Sequence, residues 1–274
     1  MKSQISKITE AKLTDKQAAL WYLGQEGFVI KHGDRYLATD LYLSDYVDQH
    51  CCQFVKWERL YPAPVAAEEL NFLNVILCTH THYDHSDPCT LPKLATANPT
   101  ARFVVPAPEV DTIASYGIEK ERIIAAVADQ PIEIDGFTVT PIPSAHEELH
   151  TDENGNYCEL GYLIDAGEIR IFHAGDMCMY DGLIERLSGV DVALLPINGR
   201  DYFRNKNDII GNFNCEEAVT LAKEIGAGLL VPMHHDLYEV NRVSPANFVN
   251  TLMALNPTQS YHIFAPGERI VYMK

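Results

Sequence analysis

The stretch Thr79-His80-Thr81-His82-Tyr83-Asp84-His85 constrains this chain more than any other. Three of its eleven histidines and an aspartate fall within six residues. It directly follows the apolar run 72–78, which reads as a short buried strand. Side chains alternate along a strand, so a strand end turns His80 and His82 to the same side. Asp84 and His85 then lie in the turn beyond and approach that space from another direction. Neutral imidazoles and a carboxylate are the donors that divalent zinc, manganese and iron accept. Four such polar groups after a buried strand, with no cation to satisfy them, would be costly. The pattern points to a metal centre at a strand end.

The rest of the chain can carry such a centre. Its 274 residues are 47% hydrophobic and 22% charged, enough to bury a sizeable core. No fixed-period repeat, low-complexity segment or Gly/Ser linker divides it, so a single domain over 1–274 is expected. Strands are expected at 19–30 and 36–43, joined by a tight turn at 31–35. Others follow at 72–78, 101–105, 132–134 and 137–142, with Asp135-Gly136 as a hairpin turn. The series continues at 161–165, 169–173 and 192–196. Helices are expected at 108–116, closed by Gly117, and at 214–225, opened by Asn214 with Glu217 as a capping box. Ser244-Pro245 opens a third. Strands and helices mixed along the whole length favour an α/β sandwich. Residues 44–71, with Pro62 and Pro64, fit neither period and read as an insertion capping a site or as a long surface excursion.

Charge sets aside several partners. With 21 Lys+Arg against 38 Asp+Glu the formal net charge is −17, so nucleic acid and anionic membranes are repelled. No apolar run approaches the length of a bilayer span, and MKSQISKITEAKLTDKQ lacks the hydrophobic region of a secretory signal. Seven scattered cysteines, Cys51 and Cys52 adjacent among them, form no C-x-x-C pair and read as thiols of a reducing compartment. The cytoplasm is the expected location. There is no G-x-S-x-G elbow, phosphate loop or dinucleotide fingerprint.

His80-x-His82-x-Asp84-His85 resembles the signature of the metallo-β-lactamase superfamily of hydrolases. The resemblance implies an αββα sandwich and assigns three further residues, each just after an apolar stretch. These are His146 after 137–142, Asp176 after 169–173 and His234 after 228–231. By this resemblance His80, His82 and His146 hold one ion, Asp84, His85 and His234 hold a second, and Asp176 bridges them. His235 competes with His234 for the last position, and motif alignment favours His234. His32, His50, His150, His173 and His262 are left as ordinary residues, with His150 and His173 placed to support the ligands.

Within the superfamily the chain looks most like the L-ascorbate-6-phosphate lactonases of bacterial ascorbate catabolism. The residues carrying this are Leu195-Pro196-Ile197-Asn198-Gly199-Arg200-Asp201-Tyr202-Phe203-Arg204 and Asp208-Ile209-Ile210-Gly211-Asn212, with Trp21-Tyr22-Leu23-Gly24-Gln25 in support. The resemblance implies opening of a phosphorylated sugar-acid lactone, L-ascorbate 6-phosphate to 3-keto-L-gulonate 6-phosphate. It implies one or two ions, Mn²⁺ or Zn²⁺, a homo-oligomer, and catalytic roles for Asp84 and Asp176. Arg200 and Arg204 are among few cations in an acidic chain, and a guanidinium grips phosphate as a fork. With Asn198, Gly199 and Tyr202 they form the expected substrate-binding set, surface ion pairs with Asp201 or Asp208 being the alternative. Hydrolysis of another small ester or thioester is the competing activity. A phosphodiesterase on this fold is disfavoured by the acidity, and a metal-dependent sensor is the non-enzymatic reading.

Overall fold

In the computed structural model, which describes residues 4–51 and 55–274, the apolar runs pair into two mixed sheets. The first gathers β1 (Gln17–Gly24), β2 (Gly27–His32), β3 (Arg35–Thr39), β4 (Val75–Leu77), β5 (Arg102–Pro106) and β6 (Ile123–Ala126). The second gathers β7 (Ile132–Ile134), β8 (Phe137–Pro143), β9 (Leu160–Ala166), β10 (Ile169–His173), β11 (Val192–Pro196) and β12 (Leu229–Met233). The chain then returns to the first sheet as β13 (Arg269–Met273), antiparallel to β1. The orders are β13-β1-β2-β3-β4-β5-β6 and β12-β11-β10-β9-β8-β7. From β3 to β6 and from β10 to β12 the neighbours run parallel, so they deliver their C-terminal ends together.

The helices are α1 (Gln4–Thr9), α2 (Tyr46–His50), α3 (Leu91–Ala97), α4 (Val110–Ser115), α5 (Leu183–Arg186), α6 (Tyr202–Lys206), α7 (Cys215–Glu224) and α8 (Pro245–Leu255). Strand alternation explains how they cover the sheets. Leu20, Tyr22, Phe28 and Ile30 turn toward Val139, Ile142, Ile164 and Ile171 of the other sheet. Trp21, Leu23 and Val29 turn the other way, onto Leu91 and Leu94 of α3 and Ile113 of α4. Each buried side chain of this size contributes about 1.5–3 kcal/mol. This is the expected metallo-β-lactamase-type sandwich.

One expectation is corrected. Residues 19–30 are not one strand but a hairpin, because Gly24 and Gln25 adopt φ of 109° and 57° and fold β2 back on β1. The flanking apolar residues hide this turn from a periodicity reading. β6, β13, α1, α2, α3, α5 and α6 went unread; β13 is an edge strand whose exposure alternates, so its apolar content is diluted. The capping box is present at Asn214 and Glu217, and Ser244 caps α8. In the segment 44–71, Val47 of α2 packs with Tyr42, Leu237 and Tyr238. Cys52 lies outside the described residues, and Cys78, Cys89, Cys158, Cys178 and Cys215 are thiols. No helix among the described residues is long and apolar enough to cross a membrane.

Candidate metal centre

β4 ends at Leu77, and Cys78-Thr79 carries the chain to His80. A buried carboxylate just past β3 anchors this loop. Asp40 Oδ1 accepts from the Thr79 amide at 2.8 Å, and Oδ2 accepts from Thr79 Oγ1 at 2.6 Å and from His85 Nδ1 at 2.9 Å. The last bond places a His85 proton on Nδ1 and turns Nε2 toward Asp176. The His85 and Ser86 amides both donate to His82 O, which closes the turn on itself. β10 reaches Asp176 through Gly175, whose φ is 61° and whose missing Cβ would sit 2.8 Å from Thr79 Cβ. Only glycine lets these two loops approach so closely. His234 follows β12 in the left-handed region at φ 54°, an uncommon state for histidine, and its amide donates to Gln25 O at 2.9 Å.

These loops converge on Asp176. Its Oδ2 lies 3.5 Å from His85 Nε2, 3.5 Å from His146 Nδ1 and 3.8 Å from His80 Nε2, while Oδ1 lies 3.3 Å from His234 Nε2. Donor atoms of His80, His82, His146 and Asp176 lie within 4.8 Å of one another, as do those of Asp84, His85 and His234. Metal bonds of about 2.0–2.2 Å set tetrahedral ligands about 3.4 Å apart, so these separations suit shared cations. His80 Nε2, His85 Nε2 and both ring nitrogens of His146 are buried without a hydrogen-bond partner. Orphaned buried donors of this kind are what a divalent ion satisfies, so the residues fit one.

Burial pushes His80, His82 and His146 down, His146 to about 4, so these three imidazoles are neutral near pH 7. Burial also works against ionisation of Asp84 and Asp176, yet the neighbouring histidines outweigh it and hold both below the usual carboxylate range. Asp176 Oδ1 accepts from Asn212 Nδ2 at 2.7 Å, and Asp84 Oδ2 accepts from Gln25 Nε2 at 2.8 Å.

A cavity of about 470 Å³ opens above the centre. His82, Asp84, His146, Asp176 and His234 form its floor, and Val47, Val55, Trp57, Ile209 and Ile210 form apolar parts of its wall. No Lys or Arg is among the described residues lining it.

The expected substrate-binding set is not brought to this cavity: none of Asn198, Gly199, Arg200, Tyr202 and Arg204 lines it. Both guanidinium forks are already engaged. Arg200 donates to Glu217 at 2.7 and 2.5 Å and to Asn212 O at 3.0 Å. Arg204 is buried, donating to Asn241 Oδ1 at 2.7 Å, Asp201 Oδ2 at 2.5 Å and Arg242 O at 3.3 Å. Asp201 caps α6, which fixes Arg204 beside it. Asn198 Oδ1 accepts from Asn212 at 3.1 Å, so it backs the residue that holds Asp176. Gly199 forms a left-handed turn at φ 73°, and Tyr202 is 80% exposed.

His235 faces a separate groove beside Asp236, away from the donors. His173 and His150 do not hold ligand side chains: His173 Nε2 meets Glu26 O at 2.9 Å, and His150 pairs with Glu159. Asp40, Thr79, Gln25 and Asn212 hold them instead. Thr39-Asp40, a polar break at the end of an apolar strand, was the available signal for one of these.

A family profile described as a beta-lactamase superfamily domain matches residues 45–235. A metal-dependent hydrolase of Caldivirga maquilingensis is 31% identical over 212 residues, covering 75% of this chain and 83% of its own. A possible metal-dependent hydrolase from Veillonella parvula superposes with a TM-score of 0.74 at 14% identity, covering 93% of this chain and 99% of its own. The isothiocyanate hydrolase from Delia radicum gut bacteria superposes at 0.72 with 18% identity, over 93% and 100%. These two structures share the fold. The chain belongs to the metallo-β-lactamase superfamily.

Proposed function

We propose that this metal-dependent hydrolase of the metallo-β-lactamase superfamily opens a carboxylic ester or lactone of a small, largely uncharged substrate. The observation that carries the reading is the cavity, in which a floor of ligand side chains faces a wall of Val47, Val55, Trp57, Ile209 and Ile210. His80, His82 and His146 would hold one ion and Asp84, His85 and His234 another, with Asp176 between them; Mn²⁺ and Zn²⁺ both suit these donors. Bound there, such ions supply a Lewis acid and lower the pKa of a water. Asp84, kept ionised by His85 and His234, lies on the floor where it would orient that water as well as hold the second ion. Asn212 and Asn198 fix Asp176 from behind. The apolar wall excludes bulk water and receives the acyl or ring portion.

L-Ascorbate 6-phosphate, the substrate implied by the sequence resemblance, is a lactone of this class. Its phosphate would meet Asp208 and no Lys or Arg among the described lining residues, which favours an unphosphorylated relative. The test uses metal-stripped protein given back Mn²⁺ or Zn²⁺, with matched lactones and esters that differ only by a phosphate. Metal-dependent kcat/KM at least tenfold higher for the neutral member, lost in His82→Ala, is expected. A preference for the phosphorylated member overturns the substrate reading. No metal-dependent turnover of any ester overturns the reaction.

A further inference from the structure

We propose that Asn241 positions the substrate in the cavity, donating from its side-chain amide to a neutral oxygen that the substrate carries beside its scissile group. This rests on the hydrolytic reading above and adds a substrate class to it, an ester or lactone with a further ether, hydroxyl or carbonyl oxygen. Asn241 lies in the turn 239–241 after β12, 6% exposed, and lines the cavity together with Asp176 and His234. Its orientation is fixed from behind. Arg204 Nε donates to Asn241 Oδ1 at 2.7 Å, and Asn198 Nδ2 donates to the same oxygen at 3.3 Å. A guanidinium can only donate, so the carbonyl end of the amide faces it. Arg204 is held in turn by Asp201 and the Arg242 carbonyl. The arginine expected to grip a phosphate thus acts at one remove, through Asn241.

The NH₂ end is left over. Nδ2 bonds to no described residue and, unlike the nitrogens of His146, it is not sealed off from open space. Two unspent amide protons at the wall of an enclosed cavity favour a ligand that brings an acceptor. The neighbouring groups differ. Asn207 spends its Nδ2 on Phe203 O at 2.7 Å, and Thr81 and Tyr83 present hydroxyls whose protons rotate. Asp208 lines the same space and repels an anion, so the oxygen that Asn241 receives is uncharged. The carbonyl under attack faces the ligand side chains on the floor, which makes this oxygen a second one.

Binding tests the assignment without turnover, so its failure is separable from failure of the proposed hydrolysis. The readout is the fluorescence of Trp57, which lines the cavity, whereas the other tryptophan, Trp21, is buried in the core. The full Zn²⁺-loaded chain is titrated with cyclopentanones, which cannot be hydrolysed. The 2-methoxy and 3-methoxy ketones are each compared with the 2-ethyl and 3-ethyl ketones, pairs that match in size and differ by one ether oxygen. At one ring position or both, the methoxy ketone is expected to bind about threefold or more tightly, the worth of one neutral hydrogen bond. Asn241→Asp keeps an acceptor for Arg204 but turns a carboxylate oxygen to the cavity, and in it the preference is lost or reversed. Asn241→Ala, its folding checked by the urea midpoint, loses the preference as well. Equal binding within both pairs in the unaltered chain, or a preference that survives in the folded Asp variant, would overturn the proposal. A preference that depends on Asn241, without metal-dependent turnover of the corresponding lactones, overturns the hydrolytic reading and leaves Asn241 as a ligand-binding residue.

Discussion

His85 donates its Nδ1 proton to Asp40 Oδ2 across 2.9 Å, and the same carboxylate takes two bonds from Thr79. One buried side chain thus fixes both a proton on His85 and the path of the loop that carries it. Removing partners of this kind costs metal sites about 10–100-fold in affinity. Asp40→Ala is expected to lose metal within that range, read by competition with a chromophoric chelator, and Asp40→Asn to lose less.

Gly175 couples the two ligand loops sterically. A methyl there would meet Thr79 Cβ at 2.8 Å and would force a side chain into the left-handed region. Gly175→Ala is expected to destabilise the chain by about 2 kcal/mol or more, seen as a lower urea midpoint. Metal retention falls with it, because Asp176 is the next residue.

The Arg200–Glu217 pair is structural, which gives a pH signature. Burial works against ionisation of Glu217, but the Arg200 fork and the Asn214 amide outweigh it and hold the carboxyl below its ordinary range. The folded pKa lies below the unfolded one, so the stabilisation is complete above the unfolded value of about 4.3 and fades as pH falls through the folded pKa. Glu217→Gln should cost about 1 kcal/mol at pH 7, a figure limited by the partial exposure of both groups. Urea midpoints of the two proteins should converge below about pH 4.

In the proposed function the apolar wall would carry substrate affinity. Truncating Trp57 removes a large face of the cavity, and apolar contacts of this size discriminate by about 1–3 kcal/mol. Trp57→Ala is expected to raise KM for a neutral lactone about tenfold with little change in kcat. Arg200→Ala should leave KM for the same lactone unaltered, since its fork faces Glu217.

What could be read along the chain was local. Each of His80, His146, Asp176 and His234 closes an apolar run, so their positions at strand ends were legible from hydrophobicity alone, and the mixture of strands and helices gave the sandwich. What escaped was pairing at a distance. Gln25 meets Asp84 across 59 residues and Asp40 meets Thr79 across 39, contacts that exist only because β1 to β4 lie side by side in one sheet. Arg200 was expected either to grip a phosphate or to pair with Asp201 or Asp208; Glu217, 17 residues on, takes it instead across the start of α7. An arginine's partner is set by helix placement, which composition and spacing do not encode.

The most direct test is anomalous diffraction from crystals grown with Zn²⁺ or Mn²⁺, recorded on either side of the metal edge. Two peaks are expected on the cavity floor, one among His80, His82, His146 and Asp176 and one among Asp84, His85, His234 and Asp176. Absence of any peak there from a loaded, active protein, or peaks only at other residues, would contradict a two-ion hydrolytic centre in this chain.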